Sequence, residues 1–565
     1  MLNKILSSIV LFLIYLNSVR LNLPFLKLEI GLNRPLFWGR KFPYSLWENL
    51  KTKFKNPYFL EDGFISYVPN IKYPLSIIVD DVGIYYDCNS ISKLDIYLNE
   101  SLNDKQKKEA SSVIETYKRN KISKYNFFRD IEYENPKEYL LVIDQVFGDL
   151  SVRYGNARKS SFSTMLKDAL AENKSCYVFI KTHPRAKKNK SYFDDNELLD
   201  PRIRLIEENC HISSLIENAK MVYVVTSNVG FEALMYGKKV KCYGMPFYAG
   251  RGLTNDYINP PINRKKITLE ELVYAALIRY PQYYEPLGMR NVKINNILSF
   301  VGTIRETQSR LPSKLKAYRI SHRKKWLLKN FTQGSKVKHI SSISSLGIQD
   351  TLLVWGSCEP DGLDSSTKVI RVEDGFIRSI GLGSNFAKPV SWVFDKIGIY
   401  YDSTKPSSLE NILNYKIFSQ IELDRAKRLT KLINSSKITK YNLARIKWVK
   451  PKNTKHVALV IGQVEDDMSI KMGAYDIDTN YKLLKKVREI NPDAYIVFKQ
   501  HPDVVSGRRK NCHNSAEKEL YDEILNDGDV CSLFEDIDSL HTMTSLSGFE
   551  ALLSCLLYTS DAADE

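Results

Sequence analysis

A chain of 565 residues is too long for a single hydrophobic core, and 43% apolar residues with 34 Tyr and 24 Phe exclude a disordered one. A net charge of +17 favours anionic partners (nucleotides, acidic sugars, acidic phospholipid or nucleic acid) without choosing among them. The eight cysteines form no C-x-x-C pair, which argues against a zinc site and a secreted disulfide framework and favours a reducing cytoplasm.

In chain order, the first element is Ile5–Leu16, a mostly apolar run after Lys4. It is too short to span a bilayer and has no clean small-residue cleavage site, so it reads as a core or membrane-surface element first and as a targeting segment second. EDGF (Glu61–Phe64) and PLSIIVDDVGIYYD (Pro74–Asp87) follow, then a long polar helical stretch, Lys105–Tyr133, that marks the passage between lobes. Tyr139–Ile143, Tyr177–Lys181, Met221–Thr226 and Lys239–Tyr243 read as short buried strands, with helical spacing at Ser161–Glu172 and Ser213–Lys220. That alternation predicts parallel sheets covered by helices. The basic stretch Arg305–Lys329 reads as a helical linker with a solvated charged face.

The second half then says the same thing again. EDGF recurs at Glu373–Phe376, PVSWVFDKIGIYYD at Pro389–Asp402, the polar helical passage at Leu423–Lys450, and strands at Val457–Ile461, Ala494–Lys499 and on the approach to Thr544. Asp149 and Asp467, His183 and His501, Ser227 and Ser545, and Glu232 and Glu550 are all 318 residues apart. Periodic hydrophobicity does not reproduce carboxylate, imidazole and hydroxyl groups at one separation; duplication of a whole module does. The chain therefore reads as an α/β protein of two tandem modules, 1–312 and 313–553. Each has two Rossmann-like lobes around a cleft, with ligands expected at the carboxyl ends of the strands.

Three duplicated constellations carry chemistry. DQVFGDLSVRYG (Asp144–Gly155) and GQVEDDMSIKMG (Gly462–Gly473) share Gln145/Gln463, Asp149/Asp467, Ser151/Ser469 and Gly155/Gly473. An apolar strand running into Gln and then Asp places a carboxylate at a cleft rim as nucleophile or base, or else simply caps a helix. KTHPR (Lys181–Arg185) and KQHPD (Lys499–Asp503) end a strand with a proline that fixes the turn and presents the imidazole. TSNVGFEAL (Thr226–Leu234) and TSLSGFEAL (Thr544–Leu552) suit a phosphate at a helix start with Glu near ribose, and equally describe a plain cap. Glu61 and Glu373 supply the second carboxylate. Asp80/Asp395 and Asp87/Asp402 also recur, though GIYYD reads equally well as strand and turn. No carboxylate pair has metal spacing, so no metal is expected.

On these residues, with EDGFIRSIGLG (Glu373–Gly383), HTMTSLSGFEALL (His541–Leu553) and MPFYAGRGLT (Met245–Thr254), the chain resembles the capsule polysaccharide β-Kdo transferases of the KpsC type over roughly residues 30–553. The resemblance implies tandem GT-B-like glycosyltransferase modules. It also implies a CMP-β-Kdo donor with no separate cofactor, and retaining transfer of Kdo to a lipid-linked oligo-Kdo acceptor. The place would be cytoplasmic, peripheral at the inner face of the cytoplasmic membrane, with capsule export machinery as a further partner and no nucleic acid. By the same resemblance Asp149 and Asp467 attack the anomeric carbon, His183 and His501 assist, and Glu61 and Glu373 act as acid/base. Lys181, Ser227, Glu232, Lys499, Ser545 and Glu550 hold the nucleotide. A two-step retaining path places two carboxyl groups about 5 Å apart. The alternatives are a related transferase using another nucleotide sugar, or a non-catalytic scaffold of the export machinery.

Two departures from the family pattern are visible. The first EDGF continues as ISYVPNIKY, so Arg378 has no counterpart and Ser66 aligns with it. After Leu234 the first module runs on as MYGKKVKCYGMPFYAGRGLT, whereas after Leu553 the chain turns to SCLLYTSDAADE, which reads as foreign sequence over Ser554–Glu565. A full second repeat would reach about residue 630. The second module is therefore expected to be incomplete and inactive, and the first self-sufficient.

Overall fold

The computed structural model describes residues 36–40, 57–131, 138–183, 191–286, 290–507, 515–554 and 557–559. The apolar run 5–16, and Pro184 and Arg185 of KTHPR, lie outside them. The chain divides into two compact units, Met1–Leu311 and Pro312–Glu565.

The first unit opens with strands β1 (Leu36–Trp38), β2 (Tyr58–Asp62) and β3 (Ser76–Asp80). It continues with β4 (Tyr139–Ile143), β5 (Tyr177–Lys181), β6 (Ile203–Ile206), β7 (Ala219–Val224), β8 (Lys239–Cys242) and β9 (Asn255–Asp256), and closes with β10 (Pro281–Tyr284) and β11 (Asn291–Val292). One sheet has the order β1-β2-β3-β10-β11, the other β6-β5-β4-β7-β8-β9. The second sheet is parallel throughout and matches the doubly wound expectation. The first is mixed: β1 and β2 are parallel, β2 and β3 antiparallel, and β10 returns from far along the chain to lie antiparallel on β3. β4 (Tyr-Leu-Leu-Val-Ile) is buried at all five positions, as a central parallel strand covered on both faces must be. Its alternating side chains feed two cores, Tyr139, Leu141 and Ile143 one, Leu140 and Val142 the other. The larger core also holds Phe64, Leu94 and Tyr117 with Phe231, Phe247 and Leu277, so it joins the lobes.

The second unit carries β12 (Lys314–Tyr318), β13 (Lys336–Ile340), β14 (Thr351–Trp355), β15 (Lys368–Asp374) and β16 (Trp392–Asp395). β17 (Val457–Ile461), β18 (Tyr495–Lys499), β19 (Glu523–Leu525), β20 (Ser539–His541) and β21 (Leu557–Thr559) follow. Their sheets are ordered β13-β12-β14-β15-β16 and β19-β18-β17-β20-β21. The β15–β16 pair is antiparallel like β2–β3, and the second sheet is again parallel. Leu557–Thr559, inside the stretch that reads as foreign, lies parallel to β20. In the first unit Leu94, Leu98, Val113 and Tyr117 of the helices Lys93–Asn99 and Asp104–Arg119 are buried. In the helices Ser408–Tyr415 and Gln420–Ser436 of the second unit, Leu413, Leu429 and Leu432 are exposed.

The helical passages between lobes are shorter than expected, Asp104–Arg119 and Gln420–Ser436, with irregular chain after each, and the linker expectation is overturned. Arg305–Lys329 is not a helical linker: a helix Ile294–Arg310 ends before Pro312, β12 follows, and a separate helix spans His322–Phe331. Proline cannot continue the helix, and Leu315 and Ala317 alternate inward between lysines as a strand requires. Nor is Arg305 a solvated charge; it is buried and donates to the Phe128 carbonyl and to Asp130.

Candidate active site

Glu61, Asp149, Lys181, His183, Ser227 and Glu232 line one cleft of the first unit, a cavity of about 610 Å³. Asp467, Lys499, His501, Ser545 and Glu550 line a smaller one of about 140 Å³ in the second. Glu373 is not among that lining. Its charge is nevertheless felt by the half-buried Tyr401 hydroxyl, which desolvation first, Glu373 next and Asp467 more weakly push up to about 12.

The aspartates sit where strand becomes helix. Asp149 caps the helix Leu150–Tyr154 by accepting the Ser151 N–H at 2.9 Å, and Asp467 caps Met468–Gly473 by accepting the Met468 N–H at 2.9 Å. Both capping aspartates are exposed at the cleft rim, so capping does not withdraw the carboxylates from the cleft. Gln145 and Gln463 fix these loops against the second motif. Gln145 Oε1 accepts the Thr226 N–H at 3.0 Å while its Nε2 donates to Thr226 Oγ1 at 3.1 Å and Ser151 Oγ at 3.3 Å. Gln463 repeats this with Thr544 at 2.8 and 2.9 Å. Gly155 allows the approach: a Cβ there would stand 2.6 Å from the Ser151 carbonyl oxygen and against the Thr226 methyl.

Glu61 and Glu373 end β2 and β15. Each Oε1 accepts the next residue's N–H, at 3.2 Å for Asp62 and 2.9 Å for Asp374. Burial, helped by Asp374, holds the Glu373 carboxyl above its usual range despite Lys324 and Lys440. Trp-Gly pairs at Trp38-Gly39 and Trp355-Gly356, 317 residues apart, pass behind them. Both glycines have positive φ, 53° and 56°. A Cβ on Gly39 would meet the Tyr86 hydroxyl and lie 2.8 Å from Glu61 Oε2; one on Gly356 would lie 2.7 Å from the Tyr401 hydroxyl. Sequence reasoning missed this pair, although the repeat itself displays it.

The imidazole of His501 caps the helix Pro502–Val505, its Nδ1 accepting the Asp503 N–H at 3.1 Å. Burial depresses its pKa, Asp503 and Asp467 opposing and Lys440 and Lys499 reinforcing. A neutral ring that accepts at Nδ1 carries its proton at Nε2 and can donate it. Ser227 and Ser545 cap the helices Asn228–Met235 and Leu546–Leu553 through the N–H groups of Val229 and Ser547.

The basic and acidic members of the expected nucleotide set differ from a simple ligand shell. The buried Lys181 ammonium donates to the carbonyls of Thr182, Ile206 and Glu208 at 3.0, 3.0 and 3.1 Å, which uses all three of its protons. It ties strand ends together instead of reaching a ligand. The Lys499 ammonium is buried without a hydrogen bond to a described residue, and burial lowers its pKa against Asp527 and Asp529. Glu232 is only 2% exposed, and its Oε1 accepts from Ser123 Oγ, Lys124 N and Asn228 Nδ2. Glu550 Oε1 accepts from Lys440 N at 2.8 Å. Burial pushes both carboxyls up to about 7. These glutamates latch the loop between the lobes. Phe64 meets Phe231 at 5.8 Å between ring centroids, and Phe376 meets Phe549 at 6.1 Å, so the phenylalanines of EDGF and GFEAL touch in both units.

The remaining repeated groups are structural. Asp80 Oδ1 accepts the N–H groups of Val82 and Gly83, and Asp395 those of Ile397 and Gly398, as turn closures. Asp87 pairs with Arg40, and Asp402 accepts from Thr404. The Arg378 departure is made good locally: Arg378 Nε donates to Asp374 at 2.6 Å, and in the first unit the Tyr67 hydroxyl donates to Asp62 at 2.9 Å. Among the described residues no three His, Cys, Asp or Glu side chains converge as a metal would need.

Two α/β lobes flanking a cleft whose polar lining gathers at strand ends define the GT-B architecture of glycosyltransferases. The profile of the family described as "Capsule polysaccharide biosynthesis protein" matches residues 36–130, 117–283 and 350–555. The capsule polysaccharide modification protein LipA of Neisseria meningitidis serogroup B is 35% identical over 529 residues, which is 87% of this chain and 74% of that protein. The chain belongs to the capsule polysaccharide biosynthesis protein family. It is similar to two solved structures from Thermosulfurimonas dismutans. The KpsC beta Kdo 2,4 transferase is 33% identical with a TM-score of 0.45, covering 48% of this chain and 88% of that one. The KpsC beta Kdo 2,7 transferase is 37% identical with a TM-score of 0.37, covering 44% and 78%.

Proposed function

We propose that this protein is a retaining β-Kdo transferase that moves Kdo from CMP-β-Kdo to a lipid-linked oligo-Kdo acceptor in capsule assembly. The observation that carries the reading is convergence: Glu61, Asp149 and His183, far apart in sequence, line one cleft with Ser227 at a helix start. In the first step the Asp149 carboxylate attacks the anomeric carbon as its bond to the CMP phosphate oxygen breaks, and CMP leaves with both bonding electrons. The start of the helix Asn228–Met235 and the hydroxyl of Ser227 receive the phosphate, and His183 donates to it. In the second step Glu61 takes the proton of the acceptor hydroxyl, whose oxygen displaces Asp149. Two inversions give net retention. Asp467, Glu373, His501 and Ser545 are the matching residues of the second unit, whose activity depends on the repeat being completed.

The raised pKa of Glu373 suits an acid/base group, which works best when its pKa approaches the operating pH. The lipid-linked acceptor places the protein at the inner face of the cytoplasmic membrane, to which a net charge of +17 is attracted. Among the described residues no helix is long and apolar enough to cross a membrane. The test is to incubate the purified chain with CMP-Kdo and a Kdo-primed glycolipid and weigh the products. Addition of one or more Kdo residues supports the reading; an unchanged acceptor beside active transfer from another nucleotide sugar overturns it.

A further inference from the structure

Each cleft holds a duplicated element that the two steps above leave unused. Ile-Ser-Lys-Tyr-Asn at Ile122–Asn126 recurs as Ile-Thr-Lys-Tyr-Asn at Ile438–Asn442, 316 residues on. The turn is built the same way twice. Asn126 Oδ1 accepts the Ser123 N–H at 3.0 Å and its Nδ2 donates to the Ser123 carbonyl at 2.7 Å; Asn442 and Thr439 repeat this at 3.1 and 2.8 Å. The lysine backbone is then clamped between lobes. The Lys124 carbonyl accepts the N–H groups of Ser66 and Tyr67, and the Lys440 carbonyl those of Arg378 and Ser379. The lysine N–H groups go to Glu232 and Glu550.

None of these backbone bonds requires a lysine. The reason for the side chain lies in the cleft, which Lys124 lines in the first unit and Lys440 in the second. Burial works against the charge of Lys124, but Tyr85, Tyr125, Asp62 and Glu61 hold the ammonium above its ordinary range. Tyr441, Asp374 and Glu373 do the same for Lys440 against its own burial. With Lys181 committed to three carbonyls, Lys124 is the lysine of the first cleft's described lining left to meet an incoming anion. It lines the same cleft as Glu61, the group assigned to the acceptor hydroxyl, and feels that carboxylate's charge. In a 2-keto acid sugar a carboxylate is bonded to the reacting carbon itself. A neutral aldose has only hydrogen there.

We propose that Lys124 and Lys440 bind the carboxylate of the donated acidic sugar and select it over neutral sugars. The inference rests on the donor reading above. It is tested by measuring CMP and CMP-Kdo binding to the full chain and to the Lys124→Ala/Lys440→Ala double variant. The expected result is unchanged CMP affinity and a loss of about tenfold or more in the preference for CMP-Kdo over CMP, as one charge-assisted contact provides. Lys→Arg at both positions should restore part of the preference. A double variant that keeps the preference, or that loses both ligands alike, overturns the inference while leaving the donor reading standing. A wild-type chain with no preference for CMP-Kdo over CMP removes the donor reading and the inference together.

Discussion

The buried latch glutamate Glu232 makes the stability of the first unit depend on pH in a defined direction. Its carboxyl rises from 4.5 to about 7, burial being the largest cause, with the bonds from Lys124, Ser123 and Asn228 opposing. Between those values the folded chain holds a proton that the unfolded chain has released. Stability is therefore full below about pH 4.5 and falls as pH climbs through 7. At about 1.36 kcal/mol per pKa unit, the rise from 4.5 to about 7 costs about 3 kcal/mol once the group is ionised. Glu232→Gln keeps an oxygen for the three donors and puts its amide nitrogen where Oε2 has no partner, so no charge is ever buried. With unfolding entropy near 2.1 cal/mol/K per residue over roughly 300 residues, 3 kcal/mol corresponds to about 5 °C. Melting curves of wild type and Glu232→Gln from pH 5 to pH 8 should therefore diverge by about 5 °C, the variant being the flatter. Glu550→Gln should add a comparable flattening in the second unit, since its carboxyl is raised equally. Curves that stay parallel across this range would refute the latch.

Gly39→Ala should place a methyl group against the Tyr86 hydroxyl and Glu61 in a left-handed backbone that costs about 1–2 kcal/mol for any other residue. Read in an Asp467→Ala background, it should lower the rate of transfer by roughly 10–100-fold, the cost of a small misplacement of a reacting group; an unchanged kcat contradicts it. Gln145→Leu keeps the bulk but leaves the Thr226 N–H unpaired in a buried place, at about 1–3 kcal/mol, while the Thr226 hydroxyl keeps Ser151 as a partner. The urea midpoint should drop with the slope unchanged, and an unmoved midpoint rejects the stitching role.

The parallel halves of the fold were legible because their strands are short apolar runs: Tyr139–Ile143, Tyr177–Lys181 and Val457–Ile461 begin and end where the pattern places them. The mixed sheets were not, since nothing local in Pro-Gln-Tyr-Tyr announces that it pairs with Ser76–Ile78. Lys314–Tyr318 misled for a different reason: Lys, Leu and Ala all favour helix, and only burial of Leu315 and Ala317 against neighbouring strands decides for β. At the site, duplication exposed the polar residues but not their orientation. Glu232 near the start of a helix looks the same in sequence whether it faces a ribose or closes a latch. The repeat's offset drifts from 312 at EDGF to 316 at the lysine turn and 318 at the aspartate, so Lys124 and Lys440 fall outside the one separation that picked out the other polar pairs.

The most direct measurement is the anomeric configuration of the Kdo linkage formed from CMP-β-Kdo, read by NMR for the wild type and for the Asp149→Ala/Asp467→Ala double variant. The account predicts a β linkage from the wild type and no transfer from a double variant that still melts cooperatively. An α linkage, or undiminished transfer without the two aspartates, contradicts it.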